Sequence, residues 1–236
     1  MISKIASLHG RATRVVSVIS LIALLTSTSA FAGTPLICHP YTIGAAKSLP
    51  GSDGDWKGVN PNYDRTNLVR DTLALLTPET PVIVRMETLR RAAIYATAGM
   101  RGWSAAGFNA EDRANTAAIL EKLQVRAKTA TGPTLALALF DVGFFTETLR
   151  HTGVDKTLNG YDAMVKALEL RGSDPEMEFA LALATSWPKQ GKHQQHLARA
   201  RAGAKEGSLL ARNLASHFSG SASTQTLRDL SVVENR

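Results

Sequence analysis

Apolar residues recur every three to four positions from Asp64 to Phe218, and this period predicts a series of consecutive α-helices. The most apolar stretch lies near the middle, where the eleven residues from Leu135 to Phe145 are interrupted only by Asp141 and Gly143. A helix that is apolar on all sides has neighbours on all sides. We therefore expect this helix at the centre of the fold.

Short signals mark where the predicted helices begin and break. Asn109 has the side chain of an N-cap, and Thr80 followed by Pro81 is typical of another helix start. The run Ser173 to Glu176 matches a capping box in which the serine and the glutamate would satisfy free N–H groups reciprocally. Gly207 lies in a run of small residues and predicts a break in the last helical region.

The whole pattern predicts an all-α protein. No stretch indicates a β-sheet, and about seven helices joined by short loops favour antiparallel helical hairpins, arranged as a repeat array or as an irregular bundle. We divide the chain into a signal peptide (1–32), an irregular arm (33–63), a helical domain (64–218) and a flexible tail (219–236). The arm is rich in turn-forming residues, but its aromatic residues favour packing against the helices.

The first 32 residues predict export. Lys4, Arg11 and Arg14 precede an apolar run that is too short to span a bilayer, and the segment ends in Ala30-Phe31-Ala32. This order is typical of a secretory signal peptide, and we expect a mature chain that begins at Gly33, carries no transmembrane segment and is periplasmic or secreted. Removing the three basic residues of the leader from the net charge of +7 leaves +4, a modest balance that does not require a nucleic-acid partner.

Part of the helical region resembles tetratricopeptide-type helical hairpins. The similarity covers about Pro133 to Ala215, in a repeat of about 34 residues, and it rests on Gly143-Phe144, Tyr161, Ala167 to Leu170 and Asp174 to Glu176. The connection from His151 to Asn159 is longer than this repeat allows, so an ordinary bundle remains the alternative. The resemblance implies a peptide- or protein-binding scaffold without catalytic residues.

Cys38 and His39 are the first candidates for chemistry. A thiolate beside an imidazolium is a nucleophile or a soft metal ligand. However, adjacent side chains of an extended segment point to opposite faces, so the dipeptide alone is not a catalytic dyad. The alternative is a packed cysteine, and because Cys38 is the single cysteine, an intrachain disulfide is excluded.

Polar residues within the helices supply further candidates. Asp141 shares a helix face with apolar residues, so it is either an acid with a raised pKa or a partner in a structural hydrogen bond. Glu147 and His151 are four residues apart, and we expect them to pair at the surface. His193 and His196 share a face and either hold a metal or belong to a solvated basic helix end.

The C-terminal helical region is strongly basic, with six Lys and Arg residues against one Glu between Lys189 and Phe218. This excess favours an acidic partner, and a solvated basic face is the alternative. We therefore expect an exported, non-enzymatic interaction or scaffold protein that binds a protein or an anionic cell-envelope component. The candidate binding residues are Cys38, His39, Asp141, Arg199, Arg201 and Lys205.

We expect no cofactor, no metal and no catalytic residue. The sequence contains no nucleophile elbow, no Gly-rich phosphate loop, no H-E-x-x-H motif and no paired-cysteine metal site. The alternative function is a small hydrolase that uses Cys38 or a carboxylate in the crevice between the arm and the helices.

Overall fold

The structure is a computed structural model, and it describes residues 34–51, 60–100, 107–186 and 191–218. The signal peptide predicted at 1–32 and the tail predicted at 219–236 lie outside the described residues, as does Trp56 of the arm.

The described residues form an all-α fold, which confirms the class predicted from the sequence. Antiparallel packing contacts join the helices, and no strand occurs within the described ranges. A 3₁₀ turn spans Arg65–Asn67. The α-helices are α1 (Pro35–Cys38), α2 (Leu68–Leu75), α3 (Val82–Ala96), α4 (Ala110–Thr129), α5 (Gly132–Thr152), α6 (Tyr161–Arg171), α7 (Pro175–Ala184), α8 (Lys192–Gly203) and α9 (Leu209–Phe218).

Helices α3 and α5 form the centre of the core. The expectation for α5 is met, because Phe140, Phe144 and Phe145 have no solvent exposure. Every residue of α3 except Arg91 is also buried. Glu87 is among them because the arm covers this face of the helix.

The arm is fixed to α3 by a buried ion cluster around Glu87. The Glu87 carboxylate accepts hydrogen bonds from the backbone N–H of Tyr41 at 3.0 Å and from the Arg90 guanidinium at 2.8 and 2.9 Å. Arg90 donates in turn to the backbone carbonyl of Ile37, and Arg91 donates to that of Leu49. The arm therefore supplies polar partners to α3 as well as apolar contacts.

The helix-end signals are partly correct. Asn109 is the N-cap of α4, as predicted, and it forms a capping box with Asp112. The predicted break at Gly207, where φ is +72°, separates α8 from α9. The box predicted at Ser173 is wrong: Asp174 is the N-cap of α7, because its carboxylate accepts from the backbone N–H groups of residues 176 and 177. The Glu176 carboxylate does not cap its own helix. It accepts a hydrogen bond from the backbone N–H of Ile83 at 3.2 Å instead.

The start of α3 also differs from the prediction. Pro81, not Thr80, occupies the N-cap position, and no side chain of the flanking residues caps the helix. The hydroxyl of Thr80 instead donates to the carbonyl of Leu75, so it closes the end of α2.

The backbones of α5 and α6 touch where the two helices meet. A Cβ atom added at Gly143 would lie 2.6 Å from the carbonyl oxygen of Gly160 and 2.8 Å from the backbone nitrogen of Met164. Glu147, one turn further along α5, accepts hydrogen bonds from the backbone N–H groups of Gly160 and Tyr161 at 2.7 and 3.1 Å. This contact fixes where α6 begins, and we call it the α5–α6 junction.

Glu147 Oε2 and His151 Nε2 lie 3.9 Å apart, but the surface location predicted for this pair is wrong, since both side chains are buried. Glu147 pairs with Arg150, whose Nε lies 2.8 Å from the carboxylate, and the other Glu147 oxygen accepts from the junction.

Among the described helices, none combines the length and the apolarity that a membrane span requires.

Replacing Gly143 by alanine should destabilise the protein. The added Cβ forces the helices of the junction apart, and overpacking of this kind costs about 1–3 kcal/mol, although alanine favours the helix itself by about 1 kcal/mol. The melting temperature, measured by calorimetry, should fall by about 2–4 °C for each kcal/mol lost. Gly191→Ala is the matched control, because a Cβ there meets no atom within 4 Å. Equal melting temperatures for the two variants would contradict this account of the junction.

Candidate functional site

Helices α6, α7 and α8 line an open cavity of about 560 Å³, which we call the α6–α8 groove. Half-buried apolar side chains from α6, Val165 and Leu168, form one side. Lys192, His196 and Arg199 lie on the facing side, at the three- and four-residue spacing that puts them on one face of α8. The groove thus combines an apolar wall with a basic wall.

A chain of three polar side chains runs along the groove. Glu178 Oε2 lies 2.6 Å from Nδ1 of His196, and Nε2 of His196 lies 2.8 Å from the hydroxyl of Tyr161. With Nδ1–H donating to the carboxylate, Nε2 is the acceptor and the tyrosine O–H is the donor. The phenolic oxygen keeps its lone pairs for a partner in the groove, and its hydrogen bond to His196 fixes the orientation of the Tyr161 ring.

Two cations stand at the opening of the groove. Lys192 Nζ lies 4.8 Å from the centre of the Tyr161 ring, within range of a cation–π contact. The Arg199 side chain is 61 % exposed, and its Nη1 lies 3.4 Å from Glu178. Both side chains are exposed, and Lys192 together with the Arg199 donors that do not contact Glu178 can therefore reach a partner from solvent.

One interpretation of the sequence placed the histidine pair of α8 in a solvated helix end, and that interpretation is wrong. His193 and His196 are buried, and Nδ1 of His193 lies 2.8 Å from the carbonyl oxygen of Ala182. The two rings therefore hold α8 against α7. Within the described ranges, no group of three His, Cys, Asp or Glu side chains is placed to hold a metal ion.

The structure does not bring the predicted basic residues together. Arg199 lines the α6–α8 groove, while Arg201 is about 200° around the helix axis from it. Lys205 lines a different cavity of about 420 Å³, together with Arg171 and Pro175. Only the first of the three predicted cations belongs to the groove.

Cys38 and His39 lie in the arm beside the Glu87 cluster. Burial raises the pKa of the Cys38 thiol to about 11, so the thiol is protonated at neutral pH and is a poor nucleophile. Burial and then the charge of Arg90 lower the pKa of His39.

Glu87 is the buried carboxylate that the arm covers. Burial acts to raise its pKa, but Arg90 and Arg91 hold that pKa below the usual value.

An aromatic cluster connects the arm to the C-terminal helix. The His217 ring stacks on Tyr41 at a centroid distance of 5.0 Å, meets Phe179 edge-on at 5.5 Å and lies 5.6 Å from the His39 ring. Burial lowers the pKa of His217 to about 4, against the raising effect of the backbone carbonyls of Asn213 and His39. The ring is therefore neutral at physiological pH.

Asp141 lines another cavity, of about 430 Å³, between α2, α4 and α5. Its Oδ2 accepts from Arg85 Nη1 at 2.6 Å, and both side chains are buried. Burial raises the pKa of Asp141 to about 6, although Arg85 acts in the opposite direction. The sequence left open whether this residue is an acid or a structural partner, and the structure shows the ion pair.

Sequence reasoning missed the chain formed by Tyr161, His196 and Glu178. Its members are 18 and 35 residues apart, so no local spacing connects them. Comparison of the chain with protein-family models, with curated proteins and with solved structures found no match. A functional proposal therefore depends on the chemistry of the groove itself.

Replacing His217 by phenylalanine should reduce the pH dependence of stability. The unfolded imidazole takes up a proton near pH 6.5 and the folded one near pH 4, so the unfolded state binds more protons between these values. The folded protein thus loses stability as the pH falls through this window. Urea unfolding at pH 7 and pH 5 should show a smaller loss in the variant than in the unchanged protein. The same loss in both proteins would mean that His217 titrates normally.

Proposed function

We propose that the protein is an exported, non-enzymatic helical interaction protein that binds an acidic segment of a partner protein in the α6–α8 groove. The observation that carries the proposal is the position of Lys192 and Arg199, two solvent-directed cations that flank the fixed ring of Tyr161. Such a surface is electrostatically complementary to carboxylates, and complementarity of this kind favours specificity and rapid association.

Each part of the groove fits a separate part of such a segment. The Arg199 guanidinium offers a planar fork of donors for a carboxylate, and Lys192 offers a point charge. In the tautomer whose Nδ1–H donates to Glu178, the Tyr161 hydroxyl donates to His196, and its oxygen accepts from a peptide N–H group. Val165 and Leu168 supply apolar contact for a neighbouring side chain.

The packing of the helices supports a scaffold role. α5 packs most extensively against α6, and α7 packs most extensively against α8, so two successive helical hairpins build the groove. This pairing supports the proposed resemblance to tetratricopeptide-type hairpins, whose function is to bind peptides or proteins. The order of basic, apolar and small residues at 1–32 supports export.

The non-enzymatic part of the proposal is supported by the state of Cys38. A thiol whose pKa is raised to about 11 lacks the thiolate that nucleophilic catalysis requires. The carboxylate of Glu87 in the same crevice accepts four hydrogen bonds from the arm and from two arginines, so it is committed to structure. These two states weigh against the alternative of a small hydrolase.

Binding of a fluorescent oligo-glutamate peptide, followed by anisotropy at low salt, should weaken roughly tenfold in the double variant Lys192→Ala, Arg199→Ala. Two exposed charge pairs together contribute about 0.4–2 kcal/mol, and about 1.4 kcal/mol, within that range, is tenfold in affinity. Both affinities should fall as salt is added, because exposed charges are screened.

The matched control is Arg201→Ala, Lys205→Ala, which removes the same charge from residues outside the groove. This control should retain nearly the full affinity. Equal losses in the two double variants would show that only net charge attracts the peptide, and the proposed binding groove would be wrong. Stronger binding to anionic lipid vesicles than to the peptide would favour an envelope lipid over an acidic protein.

A further inference from the structure

Buried carboxylates are numerous in this fold, and their oxygens are almost all hydrogen-bonded. The described ranges contain six acidic residues that are at least nine-tenths buried. In five of them both oxygens have partners among backbone N–H groups, arginines or a histidine. They are Glu87, Asp112, Glu147, Asp174 and Glu178. This consistency makes the sixth carboxylate, Asp141, an exception.

Asp141 is 3 % exposed, and its Oδ1 has no hydrogen-bond partner among the described residues. An unsatisfied buried acceptor destabilises the folded state. The residue lines the cavity of about 430 Å³ between α2, α4 and α5, which has room for a molecule larger than water. Oδ1 itself has almost no exposed surface, so a donor in the cavity meets it after the carboxylate turns about its terminal torsion, which is soft.

The two arginines of the cavity are already bonded to backbone carbonyls. Arg126 donates to the carbonyls of Leu73 and Leu76 at the end of α2, at 2.9 and 3.1 Å. Arg85 donates to the carbonyl of Thr80 at 3.1 Å and also to that of Thr77. Their positive charges oppose the entry of a cation. Because both arginines already have hydrogen-bond acceptors, Oδ1 of Asp141 is the charged group of the cavity that still needs a partner.

The remaining walls are mainly apolar, formed by side chains such as Leu73, Leu76, Leu137 and Ala138. We propose that this cavity is a binding site for a small, uncharged and mainly apolar molecule with one O–H or N–H group. That group donates to the Asp141 carboxylate oxygen that Arg85 does not bind. The site shares no residue with the α6–α8 groove, so this small-molecule site is independent of the proposed partner-binding function.

Indole and benzofuran test the proposal directly, because they have nearly the same shape and only indole carries an N–H donor. Titration of the full mature chain by calorimetry should show indole binding and benzofuran binding at least about tenfold more weakly, as expected for a lost hydrogen bond to a charged group. No binding of indole, or equal affinities for the two molecules, would overturn the proposal.

Two variants locate the site. Ala138→Leu fills the cavity and leaves the Asp141–Arg85 pair unchanged, so it should abolish indole binding while the oligo-glutamate peptide still binds the groove. Asp141→Val removes the acceptor, so the advantage of indole over benzofuran should disappear. If the second variant does not fold, Ala138→Leu decides the question alone. Unchanged indole binding in Ala138→Leu would place the ligand elsewhere and would refute the site.

Discussion

The arrangement of the groove depends on the α5–α6 junction. Gly143 and Gly160 bring two backbones into contact, and Glu147 accepts hydrogen bonds from the N–H groups that begin α6. Tyr161 is the first residue of that helix, so the junction determines where its ring and hydroxyl lie. A side chain of the core thereby positions a residue that faces the proposed partner.

The same device recurs through the fold, where a buried carboxylate of one element bonds to another element. Glu87 joins α3 to the arm, and Glu178 joins α7 to α8. Each charge costs several kcal/mol to bury, and full hydrogen bonding offsets that cost. Asp141 departs from this rule, and its free oxygen lies in a residue that lines a cavity. Asp141 is therefore a buried carboxylate whose hydrogen bonding is left incomplete by the described residues.

Local sequence signals predicted the all-α class, the burial of α5 and the cap at Asn109, because each depends on neighbouring residues. Signals failed where a distant group decided the outcome. Glu176 leaves its own helix end for the N–H of Ile83, which is 93 residues away. Glu147 was expected at the surface, and one of the two interpretations of the α8 histidines was a solvated helix end, because a charged or polar residue is usually exposed. Their partners belong to other helices, and no periodicity reveals those partners.

The most direct test of the central claim is amide hydrogen exchange at Gly160 and Tyr161. If Glu147 holds the start of α6, both amides should exchange slowly in the unchanged protein and at least about tenfold faster in Glu147→Ala, since a lost hydrogen bond is worth about 1–3 kcal/mol. The amides of α9, which packs against α7 and α8, should keep their rates. Unchanged exchange at both amides in the variant would show that the carboxylate does not position α6.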